Sequence, residues 1–356
     1  MVDRLSIDEA GADMAVQQLE PPTRTSSNLD LDRPGRSVAR IGLVQSTTPD
    51  VEYGVVPVPV VIVNGGEGPT VLLTAGTHGD EYEGQLLLQN LARTLTPAEV
   101  SGRVIIMPAI NLPAVLDSSR ISPLDNGNLN RAYPGDPDGT PTYALADYVT
   151  RYVLPHCTYA ADLHSGGKAS EYVPCGFMTR MPHGRDSAAQ AAAMIAMGLP
   201  FTMVYDESTE NRAMDTACDQ AGVIMVSTEL SGAGTVNIQT LRAARDGLTR
   251  MLHHWGVLRE SNAPATTGTR FMDVNSGHSS VMSPGPGLFE PAVGLGEQVH
   301  AGDVVGWVHA VDNPDQPATP VLAEMDGTVV TRRVPPLVIR GNYVMSIGRE
   351  LDPTEL

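Results

Sequence analysis

A run that is apolar but for Thr74 spans residues 71–75 and stops at Gly76-Thr77-His78-Gly79-Asp80-Glu81. A short apolar run that ends at glycines predicts a buried strand followed by a tight turn. Over residues 83–95 the spacing lengthens to Leu86, Leu87, Leu91 and Leu95, the period of an amphipathic helix. Another apolar run, residues 104–108, follows, so the order is strand, helix, strand, as in a parallel sheet. Downstream the pattern predicts a helix over 143–153, a strand over 159–163 and an alanine-rich helix over 187–197. A strand over 223–228 that ends at Glu229 and an amphipathic helix over 238–255 come next. Upstream, residues 37–43 and 55–63 read as strands. Pro57 and Pro59 cannot donate to a ladder and argue for an edge position in the second.

Past residue 260 the texture changes. Residues 261–268 have linker composition, and 269–356 carry short β runs between glycine turns. The expected fold is therefore α/β, with a mixed, mostly parallel sheet flanked by helices over 37–260 and a small β domain over 269–356. The glycine-turn spacing there resembles that of biotinyl- and lipoyl-type barrel-sandwich domains. Those domains carry their cofactor on lysine and this region has none, so the resemblance implies fold only. Residues 1–36 are polar and proline-bearing, and are expected to form a flexible arm or to lie on a neighbouring subunit of a homo-oligomer.

With 356 residues the chain can bury a sizeable core, and its 42% hydrophobic content is ordinary for a globular protein. The formal net charge of −18 argues against nucleic acid or an anionic membrane as partner. Cys157, Cys175 and Cys218 are an odd set without paired spacing, so neither a disulfide framework nor a cysteine metal cluster is indicated. The amino terminus lacks a basic segment followed by an apolar one, and no apolar run reaches spanning length. A cytoplasmic protein is expected. Lys168 is the sole lysine, in a glycine-rich turn.

The chemistry-bearing residues stand where predicted strands end. His78 and Glu81 are three apart, so one turn can aim an imidazole and a carboxylate at a single point, as catalytic zinc requires. A His-x-x-Glu pair by itself is commonly a chance occurrence. His164, which ends a second apolar run before Ser165-Gly166-Gly167, supplies the best third ligand and leaves one position open to water. One Zn²⁺ per chain is the resulting expectation. Ser165 lacks the Gly-x-Ser-x-Gly elbow of a serine hydrolase, and the adjacency of His156 and Cys157 makes no catalytic pair.

Four motifs, Gly76-Thr77-His78-Gly79-Asp80-Glu81, Asn128-Leu129-Asn130-Arg131, Asp162-Leu163-His164 and Thr228-Glu229-Leu230, together resemble the zinc carboxypeptidase-like deacylases that include succinylglutamate desuccinylase and aspartoacylase. The resemblance covers about residues 55–255 and looks closest to the deacetylases of N-acetyl-diaminobutyrate in ectoine breakdown. It implies hydrolysis of the amide of an N-acyl amino acid, with Glu229 as general base and acid. It also implies that Arg120 polarises the scissile carbonyl while Asn130 and Arg131 hold the substrate α-carboxylate. Arg120 matches only if residues 122–127 contain a small insertion.

The side chain of the substrate is left open between two kinds. A second carboxylate, as in a desuccinylase or aspartoacylase substrate, would want a further cation, for which Lys168, Arg180 and Arg212 are available. A diaminobutyrate ammonium would want an acid, with Glu171, Asp206 and Glu207 as candidates, each otherwise a solvated loop carboxylate. A non-catalytic binding protein built on the same cleft is the alternative of another class; loss of Glu229 or of a ligand would have favoured it, and neither is lost.

Overall fold

The first strand to be fully enclosed is the one that precedes the histidine turn. In the computed structural model, which describes residues 24–45, 54–180, 187–206 and 212–352, every residue of β4 (Thr70–Ala75) is buried. Before it come β1 (Thr25–Ser27), β2 (Gly35–Gln45) and β3 (Gly54–Asn64). After it the chain runs α1 (Tyr82–Thr94), β5 (Arg103–Met107), α2 (Leu112–Asp117), α3 (Pro141–Tyr152) and β6 (Tyr159–His164). Then follow β7 (Ser170–Tyr172), β8 (Cys175–Arg180), α4 (Ser187–Met197), β9 (Phe201–Asp206), α5 (Met214–Gln220), β10 (Ile224–Glu229) and α6 (Ile238–His254).

These strands hydrogen-bond in the order β1-β2-β3-β5-β4-β6-β10-β8-β9. Parallel pairing joins β5, β4, β6 and β10, and again β8 and β9, while the remaining neighbours are antiparallel. The sheet is thus mixed, and less parallel than its strand–helix–strand reading suggests. β2 and β3 pair antiparallel over their whole length, from Gly35 opposite Asn64 to Gln45 opposite Gly54.

Period-two alternation along the central strands feeds two cores. Val71, Leu73 and Ala75 of β4 pack with Leu87, Leu88, Met194, Leu248 and Met251 of α1, α4 and α6. Leu72, between them, faces the opposite core with Leu145 and Val149 of α3 and Met214 of α5. A three-layer α/β arrangement results.

Residues 270–352 add β11 (Arg270–Asp273), β12 (Ser280–Met282), β13 (Gly287–Pro291), β14 (Gln298–Val299), β15 (Val304–His309), β16 (Thr319–Leu322), β17 (Gly327–Arg333), β18 (Leu337–Val338) and β19 (Tyr343–Glu350). β16-β15-β13-β18 form a separate four-stranded antiparallel sheet. β11 instead pairs in parallel with β9, and β7 pairs with β17, so this region is sewn to the main sheet at two places. Met203, Met272, Val173 and Val330 make a small core across that seam.

Three expectations change on this frame. Ser26 and its neighbours pair with β2, and Leu29 and Leu31 pack on the core, so the described part of the expected arm is integrated. β3 has neighbours on both sides, although Pro57 and Pro59 fall in the half that only β2 covers. The segment 261–268 is pinned, with the Pro264 carbonyl accepting from Arg250 at 2.9 Å and Thr266 bonding to the Gly198 carbonyl. Among the described residues no helix is long and apolar enough to cross a membrane.

The turn after β4 depends on two glycines. Gly76 adopts φ +73°, a conformation costly for residues with a Cβ. At Gly79 a Cβ would stand 2.0 Å from the Ala114 carbonyl oxygen on α2. We expect Gly79→Ala to destabilise the fold by roughly 1–3 kcal/mol through overpacking. Urea unfolding of the two proteins checks it, and an unchanged midpoint would mean that the turn is not tightly packed against α2.

Candidate metal centre and substrate cleft

β4, β6 and β10 are neighbours and parallel, so their carboxyl ends meet at one edge, where α/β sheets gather ligands. His78 lies just past β4, while His164 ends β6 and stands in register with Glu229, which ends β10. Glu81 occupies the residue before α1, yet its side chain does not cap the helix. Its two oxygens face the histidines: Oε1 is 2.6 Å from His78 Nδ1 and Oε2 is 2.8 Å from His164 Nδ1. The ligand-type atoms of His78, Glu81 and His164 lie within 4.8 Å of one another, and all three residues are buried.

The far side of each ring is also held. His164 Nε2 is 2.8 Å from Asp162 Oδ2, and that carboxylate accepts from the hydroxyls of Thr74 and Thr77 at 2.8 Å each. His78 Nε2 is 3.3 Å from Asn128 Oδ1. Both imidazoles therefore present Nδ1 to the same point, and His164 has the carboxylate–histidine arrangement that orients a metal ligand. Two imidazole nitrogens and a carboxylate suit a zinc-type ion.

The charges agree with this reading. Burial opposes charge on His164, but the carboxylates of Asp162 and Glu81 outweigh it and hold its pKa well above the imidazole range. Burial likewise works against ionised Glu81, yet the two histidines keep its pKa far below the carboxylate range. A positive charge between these two acids is what the site is built to hold. For Glu229, burial and then the charge of Glu81 push the pKa up to about 8. Its buried Oε2 has no hydrogen-bond partner among the described residues.

A cavity of about 490 Å³ opens over these groups. Arg120, Asn130 and Arg131 line it together with His78, Glu81, His164, Asp206 and Glu229, so eight of the expected site residues share one space. Arg120 lies 3.4 Å from Glu81 through Nη1 and is half exposed. Asn130 accepts from the Met214 N–H at 3.3 Å, and Arg131 is an exposed member of the lining.

The three candidate acids fare differently. Glu171 is not part of the lining: alternation along β7 sends Ser170 and Tyr172 into the cavity and Glu171 the other way, into an ion pair with Arg332. Asp206 lines the cavity, with its carboxylate 2.7 Å from Arg180 Nε. Glu207 lies outside the described residues.

Lys168, Arg180 and Arg212, the candidate cations, are absent from the described lining. Lys168 acts structurally instead: its ammonium donates to the Ser118 carbonyl at 2.6 Å and its backbone N–H to Asp80 at 2.9 Å. It ties the loop that carries Arg120 to the turn after β6.

Sequence reasoning assigned no role to Asp162, Asn128 or the cavity residues Phe177, Thr179, Tyr205 and Asp215. The alternation Asp162-x-His164 on one strand face was a usable signal for the first; the others come from elements whose approach sequence does not show.

A buried His–Glu–His cluster that could hold a metal ion, at the carboxyl edge of a mixed sheet and under an arginine-lined cleft, defines an α/β protein with a candidate metal centre. The chain belongs to the succinylglutamate desuccinylase/aspartoacylase family, whose catalytic domain matches residues 67–255. It is 35% identical over 335 residues to the N-alpha-acetyl-L-2,4-diaminobutyric acid deacetylase of Halomonas elongata, covering 93% of this chain and 96% of that protein. The product-bound structure of the ectoine utilization protein EutE (DoeB) from Ruegeria pomeroyi superposes with a TM-score of 0.86 at 38% identity, covering 91% of this chain and 98% of that one. A succinylglutamate desuccinylase/aspartoacylase from Rhodobacter sphaeroides gives 0.86 at 36% identity, over 92% of this chain and 100% of that one.

Because a proton on His164 competes with a metal ion, binding should tighten as pH rises through neutrality and should release protons. Asp162→Asn should weaken zinc affinity by roughly 10–100-fold. Competition with a chromophoric chelator measures both, and a pH-independent affinity would contradict the charged state assigned to His164.

Proposed function

We propose that the protein hydrolyses the amide bond of N-alpha-acyl amino acids, first among them N-alpha-acetyl-L-2,4-diaminobutyrate, to give diaminobutyrate and acetate in ectoine breakdown. The observation that carries this reading is the meeting of His78, Glu81 and His164 in one cleft with Arg131 and with Glu229, whose buried Oε2 has no hydrogen-bond partner among the described residues. The relatives named for this deacetylation and for ectoine utilization support the substrate.

In this reading His78, Glu81 and His164 hold one zinc ion, which when bound supplies Lewis acidity and an acidified water. Arg131 grips the substrate α-carboxylate as a fork, aided by Asn130, whose oxygen is occupied by the Met214 N–H so that its amino group is the donor. Arg120 faces the carbonyl oxygen and offsets the charge that develops there. Glu229 removes a proton from the attacking water and delivers it to the amide nitrogen as the carbon–nitrogen bond breaks. A pKa raised to about 8 suits a group that must both take and give a proton near neutrality.

The lining favours an amine over a second carboxylate in the side chain. Among the described residues its arginines are Arg120 and Arg131, both assigned above, while Asp206 and Asp215 add carboxylates to the lining. Residues 269–356 take the role of a biotinyl-like β unit without a carrier lysine, beside a deacylase domain over 37–260.

We expect Glu229→Gln to keep its zinc and its melting temperature while losing at least roughly 100-fold in turnover. Metal analysis beside the assay decides, since joint loss of zinc would make Glu229 a ligand. Arg131→Ala should impair catalysis through positioning, with incomplete recovery in Arg131→Lys, because an ammonium cannot form the fork. The function itself is tested by amine release from acetyl-diaminobutyrate, acetyl-aspartate, succinyl-glutamate and acetyl-ornithine. Inactivity on all four would return the cleft to a binding role.

A further inference from the structure

The sole lysine of the chain is an exposed residue, and an exposed lysine ordinarily leaves its ammonium in water. The Lys168 ammonium instead donates to the Ser118 carbonyl at 2.6 Å, and the turns after β4 and β10 hold the rest of the residue. Its backbone N–H donates to Asp80 Oδ2 at 2.9 Å. Gly167, just before it, adopts φ +54°, and a Cβ there would stand 2.7 Å from that same carboxylate oxygen. The Gly167 carbonyl accepts from the Gly234 N–H at 2.6 Å, and a Cβ at Gly234 would stand 3.0 Å from Lys168 Cγ. The backbone and the start of the stem are thus set by close packing, and they send the ammonium toward α2.

The carbonyl it meets belongs to a segment that needs support. Ser118 closes α2 in the left-handed conformation, at φ 51°, which a residue with a Cβ keeps only where its surroundings hold it. Bonds from two other turns do so: Lys168 Nζ donates to the Ser118 carbonyl, and the Gly79 N–H donates to the Ser119 carbonyl at 2.8 Å. The next residue is Arg120. Its side chain is 51% exposed and approaches Glu81 Oε1 at 3.4 Å through Nη1, a long contact. A guanidinium held so loosely is aimed by the backbone that carries it, and that backbone is fixed by the two bonds.

Resting on the deacylase reading, we propose that Lys168 is a positioning residue for the reaction: by holding the Ser118 carbonyl it sets where the Arg120 guanidinium meets the charge that develops on the scissile carbonyl oxygen. The Gly79 bond joins the segment to the turn of His78, and the lysine joins it to the turn that follows His164. Arg120 is therefore kept in step with both histidines rather than with α2 alone. Lys168 acts at one remove, since it is not part of the cavity lining while its neighbour Ala169 is.

The test uses Lys168→Met, which keeps an apolar stem and removes the donor, on acetyl-diaminobutyrate or whichever of the four acyl amino acids is turned over fastest. In the zinc-loaded enzyme kcat should fall by roughly 10-fold, within the 100-fold that about 1 Å of misplacement can cost. KM should change little, because the interaction lost is one made in the transition state. Zinc content should stay at the wild-type value, and Lys168→Arg, which keeps a cationic donor, should recover part of the loss. If the methionine variant does not fold, Lys168→Gln, one atom too short to reach, gives the same reading. The deciding measurement is a double-mutant cycle with Arg120→Ala, or with Arg120→Lys where turnover of the alanine variant is too low to follow. In that background Lys168→Met should change kcat by less than roughly 2-fold, the mark of two residues acting through one contact. An unchanged kcat in Lys168→Met overturns the proposal and leaves the deacylase reading standing. A loss that persists undiminished beside the Arg120 substitution also overturns it, as does a loss confined to KM or accompanied by loss of zinc. A wild type inactive on all four substrates overturns the deacylase reading and this proposal with it.

Discussion

A carboxylate buried between two imidazoles governs the arrangement of this protein. Glu81 has no surface on which to hydrate, so its charge must be met by His78, three residues before it, and by His164, 83 residues after it. Asp162, also buried, holds the other side of His164, and two threonine hydroxyls hold Asp162 in turn. Such a chain of satisfied polar groups tolerates little displacement, because each freed group would be left without water. The glycine turn after β4, the parallel register of β4, β6 and β10, and the packing of α1 all serve to keep it in place.

The same constraint explains why the opposite side of the cleft is built from a different part of the chain. β8 and β9 run beside β10 and are tied through β11 to the C-terminal strands, with a small apolar core at the seam. The cleft therefore has one wall set by the parallel centre of the sheet and another set by the strands next to the β unit. Polar groups for the reaction gather on the first, and aromatic and acidic groups on the second.

The sequence by itself determined the elements that carry the chemistry. The largely apolar run before Gly76, the helical period that follows, and strands ending at His164 and Glu229 are local patterns set by burial and backbone geometry, and the structure has them within a residue or two. Spacing within one turn or one strand, as in His78-x-x-Glu81, was legible for the same reason, and the family motifs added Arg120, Asn130 and Arg131. Only the tertiary structure decided which distant groups meet. Glu171, Asp206 and Asp215 are all acids near strand or helix ends, and nothing local distinguishes them. Alternation on a three-residue strand turns Glu171 toward Arg332, Arg180 lies against Asp206, and α5 brings Asp215 to Thr179. Likewise β3 gains a second neighbour and the expected linker becomes pinned through pairings made over long sequence separations. Local pattern fixes which face of an element is apolar, but the partner that covers it is chosen by the packing of the whole chain.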